Sequence, residues 1–102
     1  MKQFTTVDQT AKLIELGFVD PKSQKCICAD YAYSIGELIE MLPQTIKAYY
    51  DLCILSTPQG WWILYGIIGD GDMWSIEYEV YRSELIDALY EMVVKLKEDG
   101  VI

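Results

Sequence analysis

Residues 49–81 constrain the fold most, because three apolar stretches follow one another there with a turn signal after each of the first two. The stretches cover residues 49–56, 61–68 and 73–81, which are ordinary strand lengths. Thr57-Pro58-Gln59-Gly60 has Pro and Gly where a type I turn favours them, and Gly69-Asp70-Gly71-Asp72 forms the second signal. The segment therefore predicts a three-stranded antiparallel β-meander.

Three helices are predicted around these strands, each from a polar N-cap residue. Two of them have a complete capping box, in which Ser or Thr is followed three residues later by Glu or Gln. The N-caps are Thr6, Ser34 and Ser83, and the helices span residues 7–16, 35–42 and 84–99. A short strand over residues 25–33 is also expected from its β-favouring composition. In the first helix, the apolar stripe is formed by Val7, Ala11, Ile14 and Phe18.

These elements predict one α+β domain over residues 1–102, with helices two and three on one face of the sheet. The first helix and the short strand form an N-terminal addition. Residues 34–99 have the order α-β-β-β-α, which is also that of double-stranded-RNA-binding domains, although the analogy concerns order only. Such domains hold phosphates with basic residues where the last helix starts. Here Glu84 and Asp87 give that start the opposite charge.

The charge balance argues against nucleic acid as a direct partner. The chain has 8 basic and 16 acidic residues, a net charge of −8 and no histidine. Its lysines and its arginine are scattered, so no basic patch is expected to meet phosphates or an anionic membrane. No signal peptide is seen, and the apolar run 61–68 is far shorter than the ~20 residues of a membrane helix. A cytoplasmic protein with reduced cysteines is expected.

Turn lengths predict which side chains share a sheet face. If residues 58–60 form a three-residue loop, Thr57 lies opposite Trp61 and Cys53 opposite Tyr65. An odd second loop then places Ile63 opposite Glu77. In this register Trp62, Leu64 and Ile68 point towards the helices.

The second sheet face is then unusually apolar and becomes the candidate interaction surface. Its candidate residues are Trp61, Ile63, Tyr65, Ile67, Leu55, Tyr81, Glu77 and Glu79. Three alternatives stay open. The first helix and residues 25–33 cover this face, the face binds a second copy or a partner protein, or the register differs.

No residue pattern predicts catalysis, a cofactor or a metal site. Cys26, Cys28 and Cys53 are too few for a four-ligand zinc site without histidine, and Asp70-Gly71-Asp72 lacks the rest of a calcium loop. The absence of histidine excludes Ser-His and Cys-His nucleophiles. Glu77 and Glu79 are interpreted as charges that protect an edge strand. The chain is therefore not expected to be an enzyme.

The whole chain resembles a loose class of short uncharacterised proteins carried by gut anaerobes, their prophages and mobile elements. The resemblance is one of pattern in TAKLIELGF (residues 10–18), YSIGELIEMLP (33–43), ELIDALYEM (84–92) and the ending Gly100-Val101-Ile102. It implies no activity, cofactor or catalytic residue, and it favours a phage-related or accessory role.

The sequence thus predicts a non-enzymatic module that binds a protein partner or self-associates as a homo-oligomer. The alternative is an acidic decoy of a nucleic-acid-binding protein, or a degenerate nucleic-acid-binding domain.

Overall fold

The structure, a computed structural model, describes residues 2–21, 23–24, 31–68 and 74–102. Within them lie three helices, namely α1 (Val7–Glu15), α2 (Ile35–Met41) and α3 (Leu85–Glu98). The strands are β1 (Ser23–Gln24), β2 (Tyr31–Ala32), β3 (Thr45–Ile46), β4 (Tyr50–Thr57), β5 (Gly60–Ile68) and β6 (Trp74–Arg82). The fold is α+β. An antiparallel sheet of order β3-β4-β5-β6 has four strands where three were predicted, and β1 pairs with β2.

The predicted capping boxes of α1 and α2 are confirmed. The Thr6 hydroxyl accepts a hydrogen bond from the Gln9 N–H at 3.1 Å, and the Gln9 side chain accepts one from the Thr6 N–H at 2.9 Å. Ser34 and Glu37 repeat the arrangement at 3.2 and 3.1 Å. Each pair satisfies two backbone donors that a helix start otherwise leaves without a partner.

The predicted N-cap of α3 is wrong, because the helix starts one residue later and its N-cap is Glu84. Glu84 makes no side-chain capping bond, and its carboxylate accepts from the Lys2 N–H at 3.1 Å instead. Ser83 packs against the turn between β4 and β5, where a Cβ on Gly60 would lie 2.9 Å from the Ser83 Cα. Ser83 is therefore held by the sheet and does not cap the helix.

The predicted register between β4 and β5 is wrong by one residue. Thr57 pairs with Gly60, which leaves a two-residue loop, and Cys53 pairs with Leu64. Gly60, which the prediction places in the loop, is the first residue of β5. Because side chains alternate along a strand, this single-residue difference exchanges the two faces of β5 relative to the prediction.

A β-bulge changes the pairing of β6 with β5. Tyr65 pairs with Tyr78, but the next residue, Gly66, pairs with Ile76, so that Glu77 is the extra residue. A bulge of this kind switches the side chains beyond it to the opposite face. Ile76 therefore shares a face with Gly66, although strict alternation along β6 would place it with Tyr78.

The core lies between one face of the sheet and the helices. The sheet contributes Ile63, Tyr65 and Val80, all buried, and the Tyr65 hydroxyl donates to the Pro43 carbonyl at 2.6 Å. From α3 come Leu85, Ile86, Ala88, Leu89, Met92, Val93 and Leu96. Leu13 of α1 belongs to the same cluster, so α1 lies on the helical side of the sheet. It does not cover the other face.

The stripe of α1 that the sequence pattern identified points largely to solvent. Val7 is 66% exposed and Ile14 43% exposed, while Thr10 and Leu13 on the adjoining side are buried. Buried Thr10 is satisfied because its hydroxyl lies 2.7 Å from that of Thr5 and 2.8 Å from the Thr6 carbonyl. A polar side chain with local partners has therefore taken a core position on this helix.

The N-terminal segment is bound to the first turn of α3 through Asp87. Its carboxylate accepts from Lys2 at 2.8 Å, in an ion pair, and from the Gln9 side chain at 2.9 Å. Burial alone would raise the pKa of Asp87, but the hydrogen bonds from Lys2 and Gln9 and the charge of Lys2 outweigh it, so this pKa lies below its ordinary value.

Candidate interaction surface

The sheet face opposite the helices carries the candidate surface, which we call the outer face. Three cross-strand rows form it in β4-β5-β6 order: Leu55-Trp62-Tyr81, Cys53-Leu64-Glu79 and Asp51-Gly66-Ile76. Among the described residues, none of the apolar side chains in these rows belongs to the core cluster, and α3 packs on the opposite face of β5 and β6. The apolar side chains of these rows thus form a second layer, on the side of the sheet away from α3.

Large apolar side chains on the outer face are partly open to solvent. Leu55 is 38% exposed, Ile76 37% and Tyr81 42%, while Trp62 is half-buried and Leu64 at the centre is fully buried. Three strands about 4.8 Å apart and six residues long give a face of about 300 Å². The whole face, with its two carboxylate positions included, is at the lower end of the about 300–600 Å² of the largest apolar patch on an ordinary monomer, and such patches are often functional.

Carboxylates flank the apolar part of the outer face. Asp51 accepts a hydrogen bond from the Thr45 hydroxyl at 2.9 Å, and Glu79 is exposed beside Leu64. The Tyr81 hydroxyl lies 2.6 Å from that of Thr57, so the polar end of this ring is satisfied at the margin. The outer face is therefore apolar in its middle and acidic at two of its margins.

Four of the eight predicted surface residues, Trp61, Ile63, Tyr65 and Ile67 of β5, lie on the helical side of the sheet. Ile63 and Tyr65 are fully buried under the helices, and Trp61 packs against the same core. Their placement follows from the register difference at Gly60. Burial keeps the Tyr65 hydroxyl protonated, since it raises the pKa of that group far above its ordinary value.

Five of the eight predicted residues remain at the surface, although Ile67 does so on the helical side of the sheet. Leu55, Tyr81 and Glu79 lie on the outer face, and Ile67 is 36% exposed opposite Ser75. Glu77 lies at the bulge and forms an ion pair with Lys47 at 2.7 Å. This hydrogen bond to Glu77 is the main reason why the pKa of Lys47 lies above its ordinary value.

Sequence reasoning missed Trp62, Leu64 and Ile76 as members of the outer face. A two-residue loop would have placed the first two correctly, since such loops are the commonest in β-hairpins. No local signal marks the bulge that turns Ile76 outwards. The prediction for residues 69–72, and those for Cys26 and Cys28, lie outside the described residues.

Apart from the outer face, a concave region lies between α2 and the segment that follows α1. It has a volume of about 240 Å³ and is lined by Val19, Asp20, Tyr33, Glu37, Glu40 and Met41. The Tyr33 hydroxyl donates to the Val19 carbonyl at 2.5 Å. Burial, with smaller effects from the charges of Asp20 and Glu37, raises the Tyr33 pKa.

The part of the chain that the structure describes contains no group of three or more Cys, Asp or Glu side chains that could hold a metal ion.

Known proteins give no further guide to this surface. No model of a protein family matches the chain, and searches of the curated proteins and of the solved structures found no match. None of the described helices is long and apolar enough to cross a membrane. The outer face and the two edges of the sheet therefore carry the functional interpretation.

Proposed function

We propose that this protein is a non-enzymatic interaction module that binds another protein through its outer face. The observation that carries the proposal is the row Leu55-Trp62-Tyr81, which presents partly exposed apolar side chains on a sheet face that α1, α2 and α3 do not cover. A solvated face of an antiparallel sheet is ordinarily polar. A cytoplasmic location and a phage-related or accessory role remain predictions.

The area of the outer face sets the kind of binding that is expected. The face of about 300 Å² includes the Asp51 and Glu79 positions, so burying its apolar part contributes less than about 7 kcal/mol at 25 cal/mol/Å². Association costs about 4–15 kcal/mol in lost translational and rotational freedom. The apolar contact alone therefore supports only weak binding. Asp51 and Glu79 at the margins favour a partner whose apolar residues are flanked by Lys or Arg.

RNA binding is not part of this proposal, although β4, β5 and β6 followed by α3 have the consecutive hairpin order of a β-meander. With the two-residue β3 set aside, that order resembles double-stranded-RNA-binding domains. Glu84 and Asp87 stand at the first turn of α3, where those domains hold phosphates. The Lys2 ammonium at this helix start is paired with Asp87, so it is not available to a phosphate.

An acidic decoy is the second candidate, because acidic residues outnumber basic ones and three of the basic residues are paired with carboxylates of the same chain. Lys2, Lys47 and Arg82 form ion pairs with Asp87, Glu77 and Glu91. These are three of 8 basic residues against 16 acidic ones, so the surplus of negative charge faces the solvent. A decoy would bind a basic DNA-binding domain with an affinity that falls steeply with added salt. The outer-face proposal expects only a shallow dependence, because the apolar contact dominates.

The test of the proposal compares lysine substitutions on and off the outer face. The immobilised chain is exposed to an extract of the cells that produce it, and bound proteins are identified by mass spectrometry. We expect Trp62→Lys to lose a partner that the wild type retains. Tyr49→Lys is the matched control, because Tyr49 is 69% exposed in the turn that precedes β4.

Folding of each variant is checked by circular dichroism, and Tyr81→Lys provides a second outer-face variant if Trp62→Lys unfolds. Retention of every bound protein by both outer-face variants would contradict the proposal. So would a wild-type chain that binds no protein.

A further inference from the structure

The two long edges of the sheet are unequally protected. On the free edge of β6, the Glu79 carbonyl accepts from the Lys95 ammonium at 3.4 Å, and the Tyr81 carbonyl accepts from the Arg82 guanidinium at 2.6 Å. The bulge at Glu77 interrupts the same strand. Charged side chains and bulges are the devices by which sheet edges avoid pairing with another chain. The β6 edge is therefore blocked.

The opposite edge is covered only at the start of β4. Thr45 and Ile46 of β3 pair with Asp51 and Tyr50, and the Leu52 N–H donates to the Gln44 carbonyl at 2.8 Å. Beyond Leu52 no described strand continues along this edge. The second half of β4, residues 53–57, therefore has β5 on one side and an open edge on the other.

The open edge offers two sets of backbone groups. In an antiparallel strand the N–H and C=O of alternate residues point to the same neighbour. The backbone N–H of Leu52 points towards β3. The N–H and C=O groups of Ile54 and Ser56 therefore point to the same side of β4, in the part of the edge that β3 does not cover. In the described part of the chain, no hydrogen bond uses the N–H or C=O of Ile54 or Ser56. Residues 53–57 carry no charge and no proline, so this edge has none of the protection seen on β6.

The two open positions are symmetric about Leu55. If a second copy of β4 runs antiparallel with Leu55 opposite its counterpart, the Ile54 N–H reaches the carbonyl of the partner's Ser56. The Ser56 N–H likewise reaches the carbonyl of the partner's Ile54, and symmetry doubles both bonds. Pairing stops where Gln44 occupies the edge at one end and Pro58 ends the strand at the other. The free segment is thus complementary to itself.

We propose that this protein forms a symmetric dimer through antiparallel pairing of β4 with β4 of a second copy, centred on Leu55. The two sheets then become one sheet of order β6-β5-β4-β4-β5-β6, in which each β3 stays beside the start of its own β4, and the outer faces lie side by side. The self-complementary hydrogen-bonding positions favour a second copy here, and the uncharged segment 53–57 brings the two chains of net charge −8 together where no like charges face each other. The dimer does not depend on what the outer face binds.

The first test measures solution mass by light scattering over a range of concentrations. We expect the full chain to have twice its mass of 11.7 kDa at high concentration. Ser56→Pro removes a donor that faces the partner, and proline is tolerated on an edge strand where its nitrogen faces outwards. This variant is expected to weaken dimerisation about tenfold or more, since two of the four bonds are lost. Glu79→Pro, the same change on the blocked edge, is expected to remain dimeric.

The second test fixes the register by cross-linking in a chain whose Cys26, Cys28 and Cys53 are replaced by serine. Leu55→Cys is expected to form a disulfide-linked dimer on mild oxidation, because directly opposed residues in a non-hydrogen-bonded pair have Cα atoms about 4.5 Å apart. Tyr81→Cys, on the same outer face but two strands away, is expected to stay unlinked.

The outcomes separate this dimer from other associations. A monomer at every concentration together with no Leu55→Cys cross-link would overturn the proposal. A dimer that tolerates Ser56→Pro and cross-links through Tyr81→Cys would overturn it in favour of pairing between outer faces. If Ser56→Pro fails to fold, the cross-linking result decides alone.

Discussion

Replacing Gly60 with alanine should destabilise the protein more than the same change at Gly17, Gly36 or Gly100. A Cβ at this position would lie 2.5 Å from the Arg82 carbonyl oxygen and 2.9 Å from the Ser83 Cα. Both crowded atoms are backbone, so the strain cannot be relieved by moving a flexible side chain. Overpacking of this kind costs about 1–3 kcal/mol and sometimes more, and we expect about 3 kcal/mol for Gly60→Ala.

The assay is urea unfolding followed by circular dichroism, with the free energy of unfolding extrapolated to water. At about 4–8 °C per kcal/mol, the melting temperature should fall by about 15 °C. Gly36→Ala is the matched control, because its Cβ would meet only the Ser34 hydroxyl at 3.8 Å and Gly36 lies in α2. That change should stabilise the protein by about 0.5 kcal/mol.

Gly17→Ala should fall between these two variants. Nothing lies within 4 Å of the added Cβ, but the φ of +97° places alanine in the left-handed region, at a cost of about 1 kcal/mol. If Gly60→Ala lowered the free energy of unfolding no more than Gly17→Ala does, the close approach of the β4–β5 hairpin to the start of α3 would be refuted. It would also remove the support that this contact gives to the register.

Three further changes test separate contacts. Asp87→Asn should cost about 1 kcal/mol at pH 7, because it removes the ion pair with Lys2. The folded pKa of Asp87 lies below the ordinary 3.8, so the difference from wild type should shrink in urea titrations as the pH falls below that value. Tyr65→Phe should cost about 1–2 kcal/mol by leaving the Pro43 carbonyl without its donor, and thermal unfolding measures this loss. Ala48→Gly should stabilise by about 0.5 kcal/mol in the same assay, since Ala48 has a φ of +67°. Equal stability of a variant and the wild type would contradict the contact concerned.

The helices were predictable because their signals are local. Thr6 and Gln9 are three residues apart, as are Ser34 and Glu37, so the hydrogen bonds of each pair form within one helical turn. The glycines that end α1 and α3 follow the same logic. Gly17 has a φ of +97° and Gly100 of +76°, as the left-handed position beyond a helix requires.

The register was not predictable from alternation, because β5 is apolar on both faces. Trp61, Ile63 and Tyr65 alternate with Trp62 and Leu64, so either set could have formed the core. The choice between them depends on whether one glycine belongs to the loop or to the strand. In the fold, this glycine is fixed by its contact with the start of α3, which is distant in sequence.

The bulge and the open edge depend on contacts that no sequence window contains. Alternation along β6 placed Ile76 with Tyr78, and the pairing with β5 separates them. The short strand β3 was not predicted, and its start at Thr45, with Gln44 before it, determines where the edge of β4 becomes free beyond Leu52. Two of the predicted surface residues, Leu55 and Tyr81, lie on the outer face, on the two strands that flank β5.

A single NOE measurement on the labelled protein tests the register on which the outer face and the open edge both depend. Residues opposite each other in a non-hydrogen-bonded antiparallel pair bring their Cα atoms to about 4.5 Å, which gives a strong contact between their α-protons. The structure predicts these contacts between Ile54 and Ile63 and between Leu52 and Tyr65. Contacts between Leu55 and Ile63 in their place would contradict the account, since they would exchange the buried and exposed faces of the sheet.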